Sequence, residues 1–469
     1  MWCAERGDFE PEAGVVFRRV LIANRGEVAV RIIRACRELG IETVAVYSTA
    51  DRDSLHTRMA DRAVHVGPPL PSESYLRIPS LVAAATTTEC DAVHPGWGFL
   101  AENAAFALAC EDNDLVFIGP RAETIETMGH KIAAKEAMAA AGVPLVPGSE
   151  GAVELEDARD VAAEVGFPLL LKAAAGGGGR GMRLVESAAD LDAAYSTASS
   201  EAQSAFGDGS LYVERAVVGA RHVEIQVLGD GEGAVLTLGE RDCSIQRRHQ
   251  KLVEESPSPA VTPDLRAEME AAARRACETL RYRGAGTIEF LLDAEGRFYF
   301  IEMNTRLQVE HPVTELVTGI DIAHAQLAVA AGNGLPQEGR AELRGHALEF
   351  RINAEDPADN FRPAPGRVTR FRPPLGPGVR VDTHVEEGYV IPPFYDSLIA
   401  KVIVWGEDRE VALARGRRAL SELELDGVPT TRELALDIVA SEEFAAGDYT
   451  TSFLADAARS LESLRGGAA

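Results

Sequence analysis

The stretch Gly286–His311, GTIEFLLDAEGRFYFIEMNTRLQVEH, decides how the rest of the chain is read. Two runs of β-forming residues, Thr287 to Leu292 and Arg297 to Met303, flank Asp293, Ala294, Glu295 and Gly296, which predicts a hairpin. With Ala294 and Glu295 at the tip, Leu292 pairs with Arg297, Glu289 falls opposite Phe300, and Glu302 becomes the diagonal neighbour of Glu289. Side chains alternate along a strand and opposed residues share a face. Glu289, Glu302 and Asn304 are therefore expected on one side, with diagonal Cα atoms roughly 7–8 Å apart. Two carboxylates aimed at one place repel unless positive charge lies between them, and two glutamates with an amide oxygen are hard ligands suited to Mg2+ or Mn2+. The competing reading is a solvated sheet edge. Arg306, Gln308, Glu310 and His311 follow the second strand directly and weigh against it, because a guanidinium fork and a further carboxylate beside a metal suit a small oxyanion held next to a nucleotide phosphate.

The residues Glu302 to Glu315, EMNTRLQVEHPVTE, resemble the signature of biotin carboxylases, a branch of the ATP-grasp superfamily that also includes carbamoyl phosphate synthases. The resemblance extends from about Phe17 to Leu454. It implies an α/β protein with an ATP-grasp fold, comprising an N-terminal doubly wound α/β domain, a mobile glycine-rich lid domain and a C-terminal α+β domain.

Size and charge bound the reading. A chain of 469 residues is long enough for two or three domains. Its 73 Asp+Glu against 47 Lys+Arg give a formal charge of −26, which opposes general affinity for nucleic acid or an anionic membrane. The six cysteines form no CxxC pair or regular spacing, so reduced thiols in the cytoplasm are expected. No apolar run approaches the roughly 20 residues of a membrane span. Residues 1–17 are acidic, lack an apolar segment and are expected to form a disordered leader.

Taken in order, RVLIAN, a helix over Glu27 to Leu39 and a strand over Glu42 to Tyr47 predict a βαβ start to a domain spanning 18–123. A single glycine after the first strand is not GxGxxG, which argues against a nicotinamide cofactor. In the loop HPGWGFL, Trp97 stands where the resemblance has tyrosine. An ATP-grasp domain is expected over 124–334, opening on one helix from Thr124 to Ala141, with the lid at about 146–217. In PLLLKAAAGGGGRGMRLV, Lys172 ends a strand and four glycines join it to the next. This is no Walker loop; it reads as a flap whose backbone N–H groups fold over a triphosphate, the alternative being a flexible linker. GERDCSIQRRHQKLVEESPSP reads as a polar run between strands, too basic for an ordinary turn in so acidic a chain. A C-terminal domain over 335–455 alternates in β fashion before two helices, and a tail occupies 456–469.

The resemblance implies the residue roles. ATP would be bound by Lys131, Lys172, Gly178, Gly179, Glu214, Arg215, Ala216, Val217, His222, Gln246, His249, Glu289 and Glu302, with the adenine contact largely through backbone. Glu289, Glu302 and Asn304 would hold Mg2+ or Mn2+. Lys251, Arg306, Gln308 and Val309 would bind bicarbonate, Arg351 would bind biotin, and Arg306, Glu310, Lys251 and Arg351 would be catalytic. No methionine is followed by lysine, so the Met-Lys-Met biotinylation site is missing from the sequence. The implied enzyme is an ATP-dependent biotin carboxylase, a ligase forming a carbon–nitrogen bond on biotin carried by a separate protein. Its implied partners are a biotin carboxyl carrier protein and carboxyltransferase subunits of an acetyl-CoA or related acyl-CoA carboxylase, and its implied state is a homodimer. Two other readings stay open: another ATP-grasp ligase that forms an acyl phosphate, and a non-catalytic ATP-binding regulatory subunit.

Overall fold

In the computed structural model, which describes residues 17–174, 181–457 and 461–464, the apolar run Arg19–Ile22 (β1) is wholly buried. It sits mid-sheet with helices on both faces, the usual fate of a continuous apolar strand. Glu42–Ser48 (β2), Arg62–Gly67 (β3), Ala92–His94 (β4) and Val116–Phe117 (β5) complete a parallel sheet in the order β3-β2-β1-β4-β5. This is the expected doubly wound unit. The strand order reverses between β1 and β4, where such sheets open a crevice. There Asn24 Nδ2 donates to the carbonyls of Pro95 (2.7 Å) and Trp97 (2.8 Å), locking the two loops together. The indole Nε1 of Trp97 donates to Glu27 Oε1 at 2.9 Å, so the residue replacing tyrosine supplies a hydrogen-bond donor to helix α1 (Gly26–Glu38).

Leu169–Ala173 (β6), Met182–Val185 (β7) and Leu211–Arg215 (β8) form a three-stranded antiparallel sheet, β7-β6-β8, beneath the helices Leu155–Val165 and Leu191–Phe206. It has its own core, including Leu169, Leu171, Val185, Leu211 and Val213. Gly178 and Gly179 lie outside the described residues.

The remainder is built on one antiparallel sheet of eight strands. Arg221–Asp230 (β9), Val235–Arg247 (β10), Gln250–Ser256 (β11), Arg283–Leu292 (β12), Phe298–Asn304 (β13) and His346–Asn353 (β14) join Val379–Thr383 and Leu398–Gly406 in the order β13-β12-β9-β10-β11-β14, then Leu398–Gly406, then Val379–Thr383. β14 bonds directly to β11, so the sheet continues into the C-terminal part. On one face of the C-terminal strands Leu348, Phe350, Ile352, Val402 and Val404 pack with Leu413 and Leu420 of the helix Arg409–Glu422 and Ile438 of the helix Arg432–Ala440. The opposite face carries charge and forms part of the site. No described helix is long and apolar enough to cross a membrane. The five described cysteines are buried and free.

Three expectations are corrected. The central hairpin turns over Asp293–Arg297 rather than on a two-residue tip: Asp293 Oδ1 accepts from the backbone N–H groups of Glu295 and Arg297, and Gly296 adopts φ +80°. Leu292 consequently pairs with Phe298, and a bulge between Phe290 and Glu289 brings Glu289 directly opposite Glu302 rather than on its diagonal. Second, the helix expected over 124–141 is two, Ala122–Gly129 and Lys131–Ala140. His130 between them is extended and its Nδ1 accepts from Ala133 N, a local cap that apolar periodicity cannot reveal. Third, the polar run GERDCSIQRRHQKLVEESPSP is mostly the paired strands β10 and β11, turned by Arg248 (φ 47°) and His249 (φ 67°). Glu240, Arg241, Asp242, Glu254 and Glu255 are buried against charged partners on other elements, and so the run lacks the apolar alternation by which a strand is recognised.

Candidate active site

β12 and β13 place Glu289 and Glu302 as opposed residues of one face. Their surroundings differ sharply. Glu289 is buried and accepts from Lys251 Nζ (2.9 Å), Asn304 Nδ2 (2.8 Å) and Gln308 Nε2 (3.3 Å), while His222 Nε2 lies 2.8 Å from its other oxygen. Burial would raise the Glu289 carboxyl, but Lys251 and His222 outweigh it and hold the group well below the usual carboxylate range. The Glu302 side chain is exposed, and the Glu289 charge opposite raises it to about 7.

Lys251, near the start of β11, joins three carboxylates. Its Nζ reaches Glu224 on β9 (2.6 Å), Glu289 on β12 (2.9 Å) and Glu310 at the start of the helix His311–Thr318 (2.5 Å). Arg351 on β14 bridges Glu254 on β11 through Nε (2.5 Å) and Glu310 Oε2 through Nη2 (2.9 Å). The fully buried Glu310 carboxylate therefore spans two cations. Burial would raise it, but Lys251 and then Arg351 hold it ionised, well below the usual range. The carboxylate is thus an acceptor at the boundary between the β12–β13 acids and Arg351.

Arg306 donates to Glu102 Oε2 (2.8 Å), Asn304 Oδ1 (2.9 Å) and Gln308 Oε1 (3.5 Å). The Val309 carbonyl accepts from the buried Lys401 Nζ at 2.8 Å, and Lys401 also lies 3.2 Å from Glu27, the acceptor of Trp97. The loop between β13 and the helix His311–Thr318 is thereby pinned from both the N-terminal and C-terminal parts.

Toward the lid, Lys172 on β6 and Lys135 both pair with the buried Glu214 on β8. Lys131, the first residue of its helix, approaches the carbonyl of Ala173 at 3.5 Å. Burial and the charge of Lys172 lower its ammonium. Arg215 donates to Tyr299 OH (2.8 Å), and Ala216 N to Pro168 O (2.9 Å), so Ala216 and Val217 leave β8 as backbone tied to the lid. Gln246 is buried opposite Lys251 in the β10–β11 ladder. His249 sits at the exposed tip of that hairpin. Its imidazole is lowered first by partial burial, then by His222 and Lys172.

Apart from Lys131, which opens a helix, every implied site residue that is described falls on β6, β8, a strand of the eight-stranded sheet or a loop that leaves one of them. The side chain of Glu214 is engaged by lysines. Sequence reasoning missed Lys135, Glu224, Arg241, Glu254, Glu102 and Lys401. Arg241, fully buried, joins Glu224 (2.6 Å), Gln226 (2.7 Å), Thr314 (2.9 Å) and Thr287 (3.1 Å), and so fixes the acceptor that holds Lys251. The excess charge of the GERDCSIQRRHQ run was the available signal.

Two acid clusters invite a divalent cation. The donor atoms of His222, Glu224 and Glu289 lie within 4.8 Å of one another, but the Lys251 ammonium already contacts both carboxylates, so a second cation there would meet its charge. Glu289 and Glu302 fit better. Glu302 faces Glu289 and pairs with no lysine, arginine or histidine among the described residues, so two opposed carboxylates remain to ligate a hard cation. Asn304 turns Nδ2 toward Glu289 and Oδ1 toward Arg306; its amide would have to rotate to offer oxygen beside Glu289.

Comparison with known proteins bears on all three parts of the chain. Residues 16–125 match the family "Biotin carboxylase, N-terminal domain", residues 130–338 "Carbamoyl-phosphate synthase L chain, ATP binding domain", and residues 349–456 "Biotin carboxylase C-terminal domain". The chain is 54% identical over 440 residues to the biotin carboxylase of Nostoc sp., covering 93% of this chain and 98% of that protein. It is 52% identical over 442 residues to biotin carboxylase 1 of Bacillus subtilis, covering 94% and 98%. The solved biotin carboxylase–βγ-ATP complex of Campylobacter jejuni superposes with a TM-score of 0.90 at 48% identity, covering 94% of this chain and 99% of that one. The biotin carboxylase domain dimer of Hydrogenobacter thermophilus 2-oxoglutarate carboxylase, with MgADP, ADP and bicarbonate, gives 0.89 at 48%, covering 94% and 98%. With the family matched along nearly the whole chain and an ATP-grasp sheet carrying its acids and cations at one place, the chain belongs to the biotin carboxylase family.

Proposed function

We propose that this chain carboxylates biotin borne on a separate carrier protein, using ATP and bicarbonate. The observation that carries the reading is the Glu310 carboxylate, buried and bridging Lys251 on the nucleotide side to Arg351 on the other. Lys131 and Lys172 neutralise the triphosphate, and Glu289 and Glu302, with Asn304 after rotation of its amide, would hold Mg2+ or Mn2+, which supplies charge neutralisation at the phosphates when bound. Lys251, Arg306, Gln308 and the Val309 backbone bind bicarbonate. Glu310 accepts the bicarbonate proton as its oxygen attacks the γ-phosphorus, expelling ADP and leaving carboxyphosphate. Phosphoryl transfer demands chiefly this positioning and charge neutralisation. Carboxyphosphate breaks to carbon dioxide and phosphate, and the phosphate takes the proton from the ureido nitrogen as that nitrogen bonds to carbon dioxide. Arg351 stabilises the negative charge that develops on the ureido oxygen.

The solved Hydrogenobacter dimer with MgADP and bicarbonate supports the cofactors and a homodimeric state. We further place the enzyme in the cytoplasm as a subunit that works with a biotin carboxyl carrier protein and carboxyltransferase subunits in acetyl-CoA or related acyl-CoA carboxylation. ATP hydrolysis by the purified chain with Mg2+, with and without bicarbonate and free biotin, tests the reading. Stimulation that needs both substrates is expected. Turnover indifferent to biotin would replace it with another ATP-grasp ligase, and nucleotide binding without turnover with a regulatory role.

A further inference from the structure

One buried carboxyl beside the site has no partner in the contacts described above. Glu349 on β14 is 0% exposed, and neither of its oxygens is hydrogen-bonded among the described residues. Directly across the ladder stands Glu254 on β11, also 0% exposed, whose Oε1 accepts from Arg351 and whose Oε2 likewise has no partner. Opposed residues project from one face within reach of each other. On its other side Glu349 is opposed by Ile403, which packs with Ala347, Val313 and Val317 beneath the helix His311–Thr318. The charged groups around it are Glu254, Arg351 on its own strand, Lys401 on the next strand and Glu310 at the helix start. Arg351 is committed to Glu254 and Glu310, and Lys401 to Val309 and Glu27.

Two adjacent carboxylates cannot both stay ionised in an apolar setting without cations of their own. One hydrogen bond relieves two of the three orphaned oxygens if one acid carries a proton and donates it to the other, and the third oxygen is then a neutral carbonyl, which costs less to bury than a carboxylate. We infer that Glu349 is a positioning residue held as the neutral acid, its hydroxyl donating to Glu254 Oε2 so that Glu254 remains the ionised partner that aims Arg351. The inference rests on the function proposed above for Arg351. Arg351 Nε donates to Glu254 Oε1 while no described donor reaches either Glu349 oxygen, which assigns the proton to Glu349; burial and the neighbouring Glu254 charge raise its carboxyl in the same direction.

The test uses E349Q and E349L in the full-length enzyme. Glutamine keeps a donor toward Glu254 and leaves the KM for biotin within about twofold of wild type; leucine strands a buried acceptor and raises it about tenfold or more, with the KM for ATP unchanged in both. Infrared difference spectra of wild type against E349Q at about pH 8, where ordinary carboxyls are ionised, carry the carbonyl band of an un-ionised acid. Absence of that band overturns the inference, as does equal behaviour of the two variants toward biotin. The infrared result is independent of turnover. If the wild type proves indifferent to biotin, the functional proposal fails while the band still decides the state of Glu349.

Discussion

Replacing Glu310 by glutamine separates a chemical role from a structural one. The carboxylate is fully buried, with Oε1 2.5 Å from Lys251 Nζ and Oε2 2.9 Å from Arg351 Nη2. Glutamine keeps the shape but loses the charge, and its NH2 must face one of the two cations. Breaking a buried ion pair from one side costs about 3–5 kcal/mol when the partner is left alone. Here Lys251 retains Glu224 and Glu289, and Arg351 retains Glu254, so the loss is nearer that of one charge-assisted hydrogen bond, about 1.5–3 kcal/mol. The fold survives with Tm lower by a few degrees. Removing a general base costs about 10²–10⁴ in rate, or about 3–5 kcal/mol of barrier. Bicarbonate-dependent ADP release in a coupled assay therefore falls by at least about 10², whereas ATP affinity measured by calorimetry stays within about twofold because Lys131 and Lys172 are untouched. A loss below about tenfold in a variant that melts normally would refute the base assignment.

Arg351→Ala is expected to spare ATP binding and to weaken biotin carboxylation by about 10² or more, since it strips Glu254 and Glu310 of a shared cation; unchanged biotin kinetics would remove it from the biotin site. Exchanging both Glu289 and Glu302 for glutamine should abolish Mg2+-dependent turnover, and normal turnover in that double variant rules out the metal site. On the face of β11 opposite Glu254, Glu255 is held at about 2, against 4.5 ordinarily, because hydrogen bonds from His346 and Arg409 outweigh its burial. A depressed carboxyl contributes stability above its unfolded pKa and loses it as pH falls through the folded value. About 3 kcal/mol is thus present above pH 4.5 and disappears toward pH 2. Chemical denaturation of wild type and Glu255→Gln should show a gap that narrows across that interval, and parallel curves would show that the ion pair does not govern it.

Much of the architecture was legible because it depends on short-range pattern. Strand alternation and turn residues were enough for the hairpin, and βαβ periodicity for the parallel sheet. The register was not, since the Asp293 side chain widens the turn and a bulge shifts every residue beyond Phe290. Lys172 was visible as a strand-end lysine beside glycines; its partnership with Glu214 and Lys135 crosses some 40 to 80 residues of sequence and was not.

What the sequence determined by itself was the inventory: a family signature from Glu302 to Glu315, paired acids on one hairpin, a lysine ahead of a glycine run and a net charge that opposes general affinity for nucleic acid or an anionic membrane. These follow from residue identity and local spacing, which need no folded structure to be read. Tertiary structure alone decided the protonation and the pairing. Glu310 is ionised because Lys251 from one strand and Arg351 from another converge on it, and Arg351 is within reach only because β14 extends the ATP-grasp sheet at β11. Electrostatic free energy depends on distance and burial, and both are set by strands that lie far apart along the chain.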